Sequence, residues 1–494
     1  MKKIYIVPLL LAVLLGGCEK HVEIEPVSQI TKESFFKTEN DVQSALNGMY
    51  VRLRNLNNSS TIDLYAWGEA RSDMFTSALA GTVGYDRYYN NTMTAATSGP
   101  DWGAAYTAIN AANLLLKYTP NINFTSEPAK NNALAQAHTM RAFLYFVLAR
   151  TYGDVPLRTE PTEGYDPVAI QVARSAEADV FKLIKEDLEK AVALFPDNVI
   201  PSGRGKWSKS AANALKGEVY LWTGKRFNGG NADFTTALSA INDALTADVA
   251  LLPNYADVFR YTNKGNKEVI MAIKFSALEG GNQIWAHNMY SANTSYPAYV
   301  PQSQRDIVGT PLAGNGNVWR VSDNVRNQFT NDDTRKAATY IDLMGPGVNQ
   351  YFTTYGLKYN GTVENGTRVF TSDFILYRYG DLLLMKAEAK NALSQDPSVE
   401  INQIRLRAYG ASNYPAHIFV TGTKAQNDDA ILKERLFEMA LEGKRWWDLV
   451  RFGKAFVLVP SLQGKSAQTH LLYWPIGITI TTRETLVKET PGWQ

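Results

Sequence analysis

The chain has 494 residues, 50 basic and 48 acidic side chains, and one cysteine, Cys18. The near-neutral balance argues against nucleic acid, which wants a basic face, and the lone cysteine excludes an internal disulfide framework. Tyrosine and tryptophan number 26 and 10, more amphipathic rings than core packing alone asks for, which points to a surface that grips ligands by stacking.

In chain order, Lys2-Lys3 opens an apolar run from Ile4 to Leu15, and Leu15-Gly16-Gly17-Cys18 closes it. A positive start, a short apolar stretch and small residues before a cysteine make residues 1–17 a lipoprotein signal peptide. The run is too short to span a bilayer, which takes about 20 apolar residues. Cys18 is then the mature N-terminus and carries the lipid, so the protein is held to a membrane surface and not threaded through it. Loss of Lys2 and Lys3 from the 50 basic residues leaves 48 against 48 acidic ones, which argues against a broad electrostatic grip on anionic lipid. Residues 18–30, with Glu19, Glu23 and Glu25 before Pro26, lack apolar periodicity and read as an acidic tether.

Residues 31–494 read as one mostly α domain. Leu134, Ala137, Met140, Leu144 and Val147/Leu148 form one helical stripe between Asn131 and Thr151. Further helices are predicted at about Asp101–Tyr118, Ala176–Phe195, Ser208–Thr223, Phe234–Thr246, Ser372–Leu393 and Ala425–Gly443, punctuated by Pro120, Pro156, Pro196 and Pro253. Gly217-x-x-Tyr220 followed by Phe234, Ala237, Ala240 and Ala244 has the small residues of a tetratricopeptide-like helical hairpin. Ala142-x-x-x-Phe146 before Pro156 is a looser second match. The scaffold therefore covers about 31–250 and 372–455. Between them, about 251–371 is a long, irregular, loop-rich insertion, rich in Gly, Asn, Tyr and Pro, with short strands predicted at Glu268–Phe275 and Arg368–Phe370. Its aromatics argue against disorder, and an irregular segment of that length is usually functional.

Several blocks, taken in order, resemble the SusD/RagB family of outer-membrane nutrient-binding lipoproteins of Bacteroidetes. They are Trp102-x-x-x-Tyr106-x-x-Ile109 with Asn113, Arg141-Ala142-Phe143-x-Tyr145-Phe146, and Thr151-Tyr152-Gly153-Asp154-Val155-Pro156-Leu157. Next come Ser208-Lys209-x-Ala211-Ala212 and Leu215-x-Gly217-x-x-Tyr220-Leu221. Towards the end stand Tyr377-Arg378-Tyr379-Gly380-Asp381, Asn402-x-Ile404-Arg405-x-Arg407-Ala408, Glu434-Arg435-x-x-Glu438-x-Ala440-x-Glu442-Gly443-x-Arg445-Trp446-Trp447-Asp448, Trp474-Pro475-Ile476 and Pro491-Gly492-Trp493. The chain departs from the family pattern at Gly477 and Thr490, both at positions that read as structural. The resemblance implies a surface-exposed outer-membrane lipoprotein that binds an oligosaccharide and passes it to a TonB-dependent, SusC-like receptor. It implies no enzyme. A peptide-binding uptake lipoprotein of the same fold is the alternative, with a surface glycosidase or a purely architectural adaptor behind it.

The residues show no catalytic signature: there is no Gly-x-Ser-x-Gly elbow and no His-Glu-x-x-His zinc helix, and the five histidines lack metal-ligand spacing. Glu434, Arg435, Glu438, Glu442 and Arg445 lie three or four apart and read as charged ladders along one helix, an ion network that fixes the scaffold. The family resemblance admits a structural calcium, but no Asp-x-Asx-x-Asx loop is present, and Asn331-Asp332-Asp333 reads as a turn or cap. No cofactor or metal ligand is assigned. Sugars present flat C–H faces and rims of hydroxyls, so aromatics mixed with Asn, Asp, Gln and Arg are the candidate ligand residues. One such cluster is Trp67, Glu69, Arg71, Asp73, Tyr85, Tyr88 and Tyr89. The other is Asn282, Gln283, Trp285, Asn288, Tyr290, Asn293, Tyr296, Tyr299 and Trp319.

Overall fold

The structure is a computed structural model. It describes residues 35–493 except 59–61, 80–83, 165, 169, 279–280, 283, 286–288, 291–294 and 312–315. Cys18, the signal peptide, the tether, Asn288 and Asn293 lie outside the described residues.

Antiparallel helices stacked one on the next form the scaffold. Its longer members in the first half are α1 (Glu39–Asn55), α2 (Gly103–Tyr118), α3 (Glu127–Tyr152), α4 (Glu177–Leu194), α5 (Lys209–Arg226) and α6 (Gly230–Ala244). After the strand-bearing segment come α7 (Tyr379–Ala392), α8 (Ser398–Asn413), α9 (Lys424–Met439) and the short α10 (Arg445–Arg451). Each of α1 to α6 packs on its neighbours, and α6 passes the stack to α7.

Local chemistry sets these boundaries. Ser126 caps α3 by accepting the Ala129 N–H, with Pro128 in the first turn. The helix ends at Gly153 (φ +73), where a Cβ would stand 3.2 Å from the Tyr473 ring. The stripe expected on α3 widens into full burial: Met140 to Tyr152 are all buried, so this helix runs through the middle of the protein. Its charges are matched inside. Arg141 donates twice to Asp187 at 2.8 Å, and Arg150 donates to Glu218 at 2.6 Å while lying on the Phe146 and Trp447 rings. The hairpin read from Gly217 forms. A Cβ at Gly217 would come 2.5 Å from Ile241, and one at Gly224 would come 2.5 Å from Phe234, so α5 and α6 approach closely only because both positions are glycine.

Two expectations change. The helix expected over Ser372–Leu393 begins as strand β9 (Phe374–Arg378) and turns helical at Tyr379. A short apolar run suits either state; here it pairs antiparallel with β2 (Val269–Ile273), and all ten residues are buried. Periodicity alone missed α1 and α8. The first carries a Thr38–Asp41 capping box and the stripe Val42, Leu46, Met49, Leu53; the second is broken by Gly410 at φ +68.

The other strands are short: β1 (Phe75–Ser77), β3 (Thr310–Pro311), β4 (Trp319–Val321), β5 (Tyr340–Met344), β6 (Tyr351–Gly356), β7 (Thr362–Glu364) and β8 (Thr367–Val369). Antiparallel pairs β1–β4 and β5–β6 lie side by side through a β4–β6 contact. One continuous core joins this region to the helices, from Val42 to Trp493.

Candidate functional site

Most of the ligand residues expected from sequence lie in the core. Trp67, Arg71, Trp285, Tyr290 and Trp319 have no exposed surface, and Asp73 and Tyr88 have 5% and 3%. This corrects their reading as ligand residues, because they are buried and most have partners inside the protein. Arg71 donates to Asn91 Oδ1 at 2.8 Å and to the Tyr473 carbonyl at 2.6 Å, and also bonds the Leu471 carbonyl. Its guanidinium stacks 4.4 Å from the Trp446 ring, and burial pushes it down to about 9. Asp73 pairs with Arg445 through two 2.8 Å bonds and not with Arg71. Glu69 accepts the backbone N–H groups of Leu441, Lys444 and Arg445. It sits on a π-helical turn (Ala66–Ala70) whose Gly68 abuts the Gly443 carbonyl. The first cluster is thus a clamp that holds the C-terminal segment to the N-terminal one. In the second, Trp285 donates its indole N–H to the Lys358 carbonyl, and Tyr290 donates to the Gly356 carbonyl at 2.8 Å.

The two clusters nonetheless meet at Trp319. Its ring stacks on Phe75 (4.8 Å, 21°) and takes the edges of Tyr85 (6.0 Å) and Tyr88 (6.2 Å). Strand alternation then places Arg320 on the outer side, between buried Trp319 and Val321. Arg320 donates to the Ser77 carbonyl at 3.2 Å and grips Asp323 at 2.7 and 3.0 Å. Arg326 donates to Asp323 at 2.6 Å, pairs with Asp342 at 3.0 Å, and lies 4.3 Å over the ring of Tyr351. Tyr351 bonds Thr354 at 2.8 Å, and Thr354 donates to Asp342 at 2.6 Å. The neighbouring Phe352 packs 6.1 Å from Tyr296, the expected ligand residue that is half-exposed here.

Tyr85, Tyr89, Tyr296, Tyr299, Tyr351 and Phe352 are all half-exposed. Tyr351, set among Arg320, Arg326, Asp323 and Asp342, makes a partly open aromatic surface beside the Trp319 core, whose edge Tyr85 meets. Arg320 and Arg326 hold Asp323 down at about 2, so its oxygens remain acceptors at neutral pH. Tyr351, Phe352, Arg320 and Arg326 were missing from the sequence candidates, although the alternation Trp319-Arg320-Val321 marks Arg320 as facing outward.

The carboxylates of the α9 segment and the turn after it are held by buried cations. The charges are paired across elements and not laddered along one helix. Glu434 takes Arg335 (2.7 Å) and Arg405 (2.8 Å), Arg435 takes Asp381 (2.9 Å) and Asp448 (2.8 Å), and Glu442 takes Lys358 (2.7 Å) and Arg378 (2.8 Å). Burial raises the Glu438 carboxyl, but Arg407, Arg378 and Arg335 outweigh it and hold the group well below the usual range. Such a carboxylate does not exchange a proton near neutrality. At Asn331-Asp332-Asp333 the side chains are committed to Lys336, His417 and Arg335.

A cleft of about 590 Å³ shares no residue with this surface and lies between α2, residues 158–171 and residues 483–484. Its Trp102 donates to Glu484 (3.3 Å), and Glu484 also pairs with Arg158 (3.1 Å). We place the candidate site on the aromatic surface, because half-exposed rings stand there beside charged donors and acceptors that reach the surface.

Known proteins resemble this chain over nearly its whole length. A family model described as the SusD family matches residues 313–473, and one described as starch-binding and associating with outer membrane matches residues 22–221. SusD-like protein P38 of Formosa agariphila is 28% identical, with 94% of this chain and 93% of that protein covered. Among solved structures, NanU of B. fragilis is 31% identical at a TM-score of 0.81, covering 95% of this chain and all of that one. A SusD superfamily protein from Bacteroides vulgatus is 30% identical at 0.82, covering 93% of this chain and all of that one. Motifs, helical-hairpin fold and these likenesses agree: the chain belongs to the SusD family.

Proposed function

We propose that this protein is a surface-exposed outer-membrane lipoprotein, anchored through Cys18, that captures an oligosaccharide and passes it to a TonB-dependent, SusC-like receptor. The observation that carries the reading is the partly open aromatic surface beside Trp319. Tyr89, Tyr351 and Tyr296 offer ring faces to sugar C–H faces, while Arg320, Arg326, Asp323 and Asp342 offer donors and acceptors to hydroxyls. The Arg326–Tyr351 contact and the buried rings beneath hold the surface in shape before ligand arrives, which lowers the ordering cost of binding. Capture is reversible contact, with no bond made or broken. The family description, starch-binding and outer-membrane-associated, supports both ligand class and location. A lipid at Cys18 confines protein and receptor to one membrane and raises their effective concentration.

A glycan array and a peptide panel applied to the lipid-free mature chain test the ligand. Binding to glycans, with no release of reducing ends on prolonged incubation, is the expected result. Peptide binding alone, or sustained turnover, overturns it. Copurification of a barrel receptor with the lipidated protein tests the partner.

A further inference from the structure

A second concave site lies between α1, the turn at 201–206 and the end of β2, and shares no residue with the aromatic surface. Its volume is about 570 Å³, large enough for a sugar-sized ligand. Tyr50, Val51 and Ile273 give it an apolar lining. Tyr50 is held from behind, since its hydroxyl donates to Gln136 at 2.7 Å and accepts the Trp207 N–H at 2.8 Å.

The charges on this cleft have one sign. Arg54, Lys206 and Lys274 line it, and no carboxylate does so among the described residues. Gly205 makes room for Lys274, whose Cγ would be 2.3 Å from a Cβ there. Lys274 pairs with buried Asp373, which Lys264 also approaches at 3.3 Å, so one carboxylate serves two ammonium groups. Arg204 turns inward and donates to the Val269 and Asp248 carbonyls at 2.6 and 2.9 Å, which pins the turn. Lys206 is exposed and makes no ion pair among the described residues. Cations around a low-dielectric concavity focus a positive potential on it.

We propose that this cleft is a binding site for an anionic sugar residue, carrying either a carboxylate or a sulfate ester. The apolar lining covers the ring face, and the cationic rim takes the charge. The proposal rests on the reading that the chain handles saccharides, and it adds a second site and a charge class to it.

Calorimetry on the mature chain tests this with a uronate disaccharide, a sulfated disaccharide, a neutral disaccharide and inorganic sulfate, in the wild type and in Lys206→Glu, Lys206→Gln and Tyr351→Ala. At least one anionic disaccharide should bind, weaken about tenfold in Lys206→Glu and less in Lys206→Gln, and weaken again in high salt. Whichever disaccharide binds identifies the acid group. Tyr351→Ala should leave this binding unchanged. The proposal is overturned if neither anionic disaccharide binds, if Lys206→Glu binds them as the wild type does, or if inorganic sulfate binds as tightly as either sugar. Loss of anionic binding in Tyr351→Ala overturns it too, while leaving the aromatic surface as the site. Glycan binding that survives Tyr351→Ala but fails in Lys206→Glu instead overturns the aromatic surface and keeps the cleft.

Discussion

Replacing Trp319 by alanine separates a core role from a ligand role. The ring is fully buried against Phe75, Tyr85 and Tyr88. Removing a buried tryptophan costs about 3–5 kcal/mol, because the cavity closes only in part. Against a total stability of about 5–15 kcal/mol, that is a large fraction. Tyr351→Ala removes a half-exposed ring and should cost less than about 1 kcal/mol of stability. It should weaken glycan binding about tenfold, the equivalent of about 1.4 kcal/mol. Urea unfolding followed by far-UV circular dichroism, together with calorimetric titration of the best glycan, gives both quantities for each variant. We expect Trp319→Ala to lower the urea midpoint strongly, and Tyr351→Ala to keep the midpoint and lose affinity. A Trp319→Ala protein with the wild-type midpoint and no glycan binding would refute the reasoning, since it would make Trp319 a ligand-contacting residue.

Three further outcomes follow from the packing and the charges. Arg378→Met strips the buried Glu268, Glu438 and Glu442 of a shared partner and should cost about 3–5 kcal/mol in the same urea assay; a change under about 1 kcal/mol contradicts the network. Gly217→Ala drives a methyl against Ile241 at 2.5 Å and should cost about 1–3 kcal/mol, with partial recovery on adding Ile241→Val. Burial, eased by the Tyr473 hydrogen bond, pushes Glu177 up from its ordinary 4.5 to about 7. Between those values the native state holds a proton that the unfolded chain has lost, so this group's contribution to stability falls as pH rises from about 4.5 to about 7. The difference in stability between wild type and Glu177→Gln, measured at intervals across that window, should change in that sense; a constant difference contradicts it.

The helical scaffold was legible where apolar period, caps and prolines agreed, as on α3 and in the α5–α6 hairpin with its glycine contacts. The ion network was legible in its members but not in its pairing, because Glu434 and Glu442 find their partners on elements far away in sequence. The aromatic clusters were legible as clusters but not as inside or outside. Arg71 meets Tyr473, and the pairing of β1 with β4 sets Trp319 opposite Ser77 and its ring on Phe75, contacts between residues hundreds of positions apart. No local pattern reports them. A ring-rich segment reads the same whether tertiary contacts bury it or leave it open. Arg320 and Tyr351 owe their place at the surface to strand alternation and to the β4–β6 contact, so they stand out only once the strands are paired.

The most direct test is a crystal structure of the protein soaked with the glycan that binds most tightly. The account predicts sugar rings lying on Tyr89, Tyr351 or Tyr296, with hydroxyls within hydrogen-bonding reach of Arg320, Arg326, Asp323 or Asp342. Sugar bound elsewhere, with these side chains bare, would contradict it.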